Sequence, residues 1–172
     1  MNVIKAVGSM NIVVAGILNY STVVSVAGQM YGLITGLSTS DNIDVRECLT
    51  RLDLEYKLKM VESVINQKLN EYYKKHKLGD SELDADMVIV NKEIALKGNT
   101  DPVIISLYYL FELTNKIHHE LDIIYKIVTA HKNSWIGMVR KLNIDVNLRR
   151  LEKLVETLDQ RFHTYLLLEK KQ

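Results

Sequence analysis

The stretch Asp101–His131, DPVIISLYYLFELTNKIHHELDIIYKIVTAH, decides the fold class. Asp101 before Pro102 is a helix start: a side chain that can cap, then a proline whose missing N–H costs nothing in the first turn. From there Val103, Leu107, Leu110, Ile117, Leu121, Ile124 and Val128 keep the three-and-four rhythm of one helix face. Ile104, Ile105, Phe111, Leu113, Ile123 and Ile127 widen that face, which predicts a central, well-buried helix. His131 stands at its end, where a cation complements the helix dipole.

The same rhythm recurs on both sides. Downstream, Ser134–Asn143, with Gly137, is a break. Leu148, Leu151, Val155, Leu158, Phe162 and Tyr165 then predict a last helix to about Leu168. Upstream, Ser81 and Asp84 open a segment with the stripe Leu83, Met87, Val90 and Ile94, and Gly98 closes it. Before that, Val45, Leu49, Leu52 and Tyr56 pass, after a shift of stripe, into Leu54, Leu58, Val61, Ile65, Leu69 and Tyr72. With Gly79 as terminator and Lys74, Lys75 and Lys77 in the last turn, this predicts one helix from Asp44 to Lys77.

The chain has 172 residues, 47% apolar and 25% charged, with one proline and one cysteine. Such a composition buries a core and lacks the breakers of a turn-rich β protein. The expectation is all-α: an antiparallel bundle of about five helices in one domain over residues 1–172. Residues 1–38 form its apolar, glycine-rich first helix and residues 44–170 its body. Leu52, Val61, Leu107, Leu110, Leu121, Leu151, Val155 and Leu158 are the expected core.

Between Val7 and Ser40 there is no Asp, Glu, Lys, Arg or His. A transmembrane helix, a signal peptide and a buried helix each fit part of this run. Asn11, Asn19 and Gln29 interrupt it as a span, and Ser25-Val26-Ala27 offers a small-x-small exit. Asn11, Ala15, Asn19, Thr22, Ser25, Gln29, Gly32 and Gly36 share one small, weakly polar helix face. Gly28, Gly32 and Gly36, with Ser25 a turn earlier, form a ladder on which a second helix backbone can approach closely. Three glycines in a helix are costly unless something packs there. Either a neighbouring helix of the bundle crosses closely, or the helix inserts in a membrane or self-associates.

The formal charge is +1, so a global nucleic-acid footprint is absent and no nucleic-acid partner is expected. Residues 81–101 carry −3 and residues 131–172 carry +4. Lys132, Arg140, Lys141, Arg149, Arg150 and Lys153 are candidates for one basic end facing anionic lipid or a partner; a solvated face is the simpler reading. Trp135 with Ile136, Met138 and Val139 suits either a plug at the bundle end or a membrane interface.

Phosphate-binding and nucleophile-elbow motifs are absent, and no Glu-x-x-His pair exists for a di-iron bundle. His118 and Asp122 share a helix face beside His119, enough for one edge of a metal site; surface placement is the simpler reading. Cys48 reads as a buried, inert thiol. The expectation is a protein that is not an enzyme, with no cofactor and no bound metal.

An apolar Gly/Ala-rich first helix, then RECLTRLDLEYKLKMV (residues 46–61), then a tryptophan and LRRLEKLVETLDQRF (residues 148–162) resembles the HeLo-type helical bundles of fungal cell-death proteins. The layout is similar to the N-terminal bundles of plant resistance proteins and mixed-lineage kinase-like pseudokinases. The resemblance implies a bundle whose N-terminal helix is released to oligomerise and insert in a membrane, with Gly28, Gly32 and Gly36 as close-packing positions. A regulatory partner protein and an intracellular, cytoplasmic setting with membrane association are also expected. The richness in Ile, Asn, Lys and Tyr is similar to proteins of AT-rich genomes, including large DNA viruses. There, a small helical scaffold with an apolar arm suits a particle component that docks on other proteins.

Overall fold

The computed structural model describes residues 20–75, 102–134 and 142–171. The described residues form five helices and no strand, so the protein is all-α. They are α1 (Tyr20–Ser38), α2 (Ile43–Leu52), α3 (Leu54–Lys75), α4 (Pro102–Asn133) and α5 (Asp145–Glu169). The expected stripe at residues 83–94, residues 1–19, Trp135, Arg140 and Lys141 lie outside the described residues.

The segment expected as one helix from Asp44 to Lys77 is two. Asp53 sits in the left-handed region at φ 47° and its N–H bonds the Thr50 carbonyl at 3.2 Å. Aspartate tolerates that conformation better than most residues because its short polar side chain bonds locally. The kink lets two apolar stripes in different registers face one core. Val45, Cys48 and Leu49 are buried on α2, and Leu54, Leu58, Val61 and Ile65 on α3. Leu52, expected in the core, is half-buried against it, and Tyr56 is exposed. The start of α2 is fixed by Asn42, whose Oδ1 accepts the Val45 N–H at 2.9 Å.

Helix α4 begins at Pro102 as the sequence predicts. Its residues Val103, Leu107, Leu110, Ile117, Leu121 and Ile124 are buried, together with Leu148, Leu151, Val155 and Leu158 of α5. One cluster joins these side chains to those of α1, α2 and α3. Helix α1 gives Val23, Ala27, Met30, Ile34 and Leu37 to the interior, a stripe at steps of four, three, four and three.

Polar contacts set the direction of each pair. Arg161 of α5 donates to the Tyr109 carbonyl of α4 at 3.1 Å, and Arg150 of α5 reaches Glu120 of α4 at 3.4 Å, so these helices run in opposite directions. Helix α1 runs alongside α4 in the same direction. Its early residues meet Phe111 and Thr114 across a shared cavity, Gly36 meets Tyr125, and Asp41 beyond its end meets Lys132. On the far side Lys57 pairs with Asp159 at 2.6 Å and Lys68 with Glu169 at 2.7 Å, aligning α3 with α5. Helix α5 therefore carries two kinds of side chain. Glu152, Asp159 and Glu169 pair with bases of α2 and α3, whereas Arg150 and Arg161 address α4. Exposed pairs of this kind add little energy singly, but they discriminate against a shifted register.

Candidate functional site

With its apolar stripe turned inward, α1 presents the opposite side to solvent. Val24, Ser25, Gly28, Gly32 and Thr35 are exposed there. Among the described residues, a Cβ placed on Gly28 or Gly32 would meet nothing within 4 Å. Among the described residues, no neighbouring helix therefore crosses at these two glycines. Gly36 differs: a Cβ there would lie 3.0 Å from the Tyr125 ring, so α4 closes over the end of the ladder. Ser25 takes part in a local bond, accepting from the Gln29 side chain at 3.4 Å. The ladder thus splits into a packed end at Gly36 and an open stretch from Ser25 to Gly32.

The open stretch carries no charge, and its flanks are held in place. On the α3 side, Tyr31 Oη donates to Glu62 Oε2 at 2.6 Å. Lys59 Nζ stands 5.7 Å from the Tyr31 ring centroid, within cation–π range. Burial and the Glu62 carboxylate raise the Tyr31 phenol well above its ordinary value. At its C-terminal end, the Thr39 hydroxyl caps α1 on the Thr35 and Gly36 carbonyls, both at 3.1 Å. The result is an uncharged face of Val24, Ser25, Gly28, Gly32 and Thr35 on a helix whose other side is anchored in the core. Among the described residues no helix is long and apolar enough to cross a membrane.

Four of the six candidate basic residues, Lys132, Arg149, Arg150 and Lys153, lie among the described residues. Arg150 turns toward α4 and the buried Glu120. Arg149 donates to the Asp145 carbonyl of its own helix at 3.3 Å. Lys132 lies at the far end of α4, 3.4 Å from Asp41. Lys153 is exposed on α5. These four lie on two helices, and Lys132 and Arg150 each face a carboxylate.

Glu120 is the site feature that the sequence reading missed. It stands 3% exposed, its Oε1 accepting from the Asn147 amide at 2.8 Å. Its position carried the signal. Glu120 lies three residues after Ile117 and four before Ile124, within the register of the buried stripe. His118 is half-buried and His119 exposed; burial lowers the His118 imidazole pKa against the opposing pull of Asp122. Among the described residues no group of three or more His, Cys, Asp or Glu can hold a metal. Cys48 is buried, its Sγ 3.8 Å from Glu152 Oε1. Burial and that carboxylate push the thiol up to about 11, the wrong direction for a nucleophile. The cavity between α1, α3 and α4, lined by Ala27, Met30, Leu58, Val61, Ile65 and Phe111, measures about 10 Å³. That is about the room one water needs, far below a metabolite pocket.

No family model matches the chain, and no solved structure matches it. Over 125 residues it is 30% identical to an uncharacterized protein of Acanthamoeba polyphaga mimivirus, an alignment covering 70% of this chain and 60% of the relative. The chain thus spans less than two thirds of the length of that viral protein.

Proposed function

We propose that the protein is a non-enzymatic helical scaffold, an antiparallel-type bundle that uses the outer face of its apolar, glycine-rich N-terminal helix to dock a further helix and self-associate. The observation that carries this reading is the open stretch Ser25–Gly28–Gly32 on a helix whose apolar stripe is already buried. Each exposed glycine forgoes roughly 0.8–1 kcal/mol of helix stability relative to alanine. A close helix–helix contact is a physical use for that sacrifice, because it needs the missing side chains. The likeness to an uncharacterized mimivirus protein and the richness in Ile, Asn, Lys and Tyr support a large DNA virus as the setting, where a scaffold of this kind suits a particle component.

A second reading is the membrane one, in which α1 leaves the bundle, oligomerises and inserts, as the HeLo-type layout implies. The complete lack of charge between Tyr20 and Ser38 favours it. Against it stands the buried stripe of α1, whose larger side chains each contribute roughly 1.5–3 kcal/mol by leaving water.

Light scattering on the full chain, with Gly28→Leu/Gly32→Leu beside it, tests the docking reading. The expected result is a species above monomer mass that the double variant reduces to monomer at unchanged helicity. A wild-type chain that stays monomeric at high concentration overturns self-association. Flotation of that monomer with anionic vesicles would then favour the membrane reading.

A further inference from the structure

We draw no further inference here: the strongest candidate, the exposed small-residue face of α1 at Ser25, Gly28 and Gly32, belongs to the site already described, and nothing else in the structure shows what covers it.

Discussion

Asn147 of α5 donates its side-chain amide to the Glu120 carboxylate of α4 at 2.8 Å, in a helix pair that leaves 3% of Glu120 exposed. Arg150 supplies the charge partner at 3.4 Å from the other carboxylate oxygen. A buried carboxylate is tolerated only while such donors satisfy it. Asn147→Ala is therefore expected to lower stability by about 1–3 kcal/mol, the cost of an acceptor left unsatisfied. Glu120→Leu, which removes the charge as well, should cost less than Asn147→Ala, because Asn147 and Arg150 can turn to solvent. Urea denaturation of the two variants checks the order.

The kink between α2 and α3 rests on Asp53 at φ 47°. Asp53→Gly should leave stability unchanged or raise it slightly, since glycine occupies this region freely. Asp53→Val should lower it by roughly 1–2 kcal/mol, the cost of the left-handed conformation for a residue with a Cβ. A loss on replacement by glycine, seen in the urea midpoint, would mean that the Asp53 side chain holds the turn.

The three ladder glycines should respond differently. Gly28→Ala and Gly32→Ala, with no described residue within 4 Å of the added Cβ, should each stabilise the monomer by roughly 0.8–1 kcal/mol. Gly36→Ala must displace the Tyr125 ring at 3.0 Å and should gain less or lose. Thermal melts at a dilution where the chain is monomeric separate the helix effect from any docked copy.

Alkaline stability has a defined sign. The Cys48 thiol rises from an ordinary 9.0 to about 11, and burial with the Glu169 carboxylate lifts the Tyr165 phenol from 10.0 to about 12. Raised folded values stabilise the protein fully below the unfolded pKa and lose that contribution as pH climbs through the folded one. Stability should therefore hold to about pH 9 and fall between pH 9 and 12. Cys48→Ala should remove the lower part of that loss, between pH 9 and 11. Denaturation midpoints across this range check it, and a thiol reagent at about pH 8 should label Cys48 only slowly.

Arg161 ties α5 to α4 by donating to the Tyr109 carbonyl at 3.1 Å and by lying 5.6 Å from the Tyr109 ring centroid. Arg161→Lys keeps the charge but lacks the planar fork that bonds and stacks at once. It should lose about 0.5–1.5 kcal/mol, measurable by urea denaturation, whereas the same change at the exposed Arg149 should be near neutral.

The sequence by itself determined that this chain is helical, and it placed most of the core. Hydrophobic period is a local property, so Pro102 could announce α4, and Val61, Leu107, Leu110, Leu121, Leu151, Val155 and Leu158 could be read as buried from spacing alone. It also marked, without resolving it, the change of stripe at which Asp53 breaks the helix in two. What only the tertiary structure decided is which neighbour each face meets. Gly28 and Gly36 belong to one ladder in the sequence, yet among the described residues Gly28 stands open and Gly36 lies under Tyr125 of α4. Arg150 and Arg149 are adjacent, yet one turns to a buried carboxylate and the other donates to a carbonyl of its own helix. Periodicity fixes the angle of a side chain around its own helix axis; the crossing of two axes fixes what stands opposite it, and that depends on residues far apart in the chain.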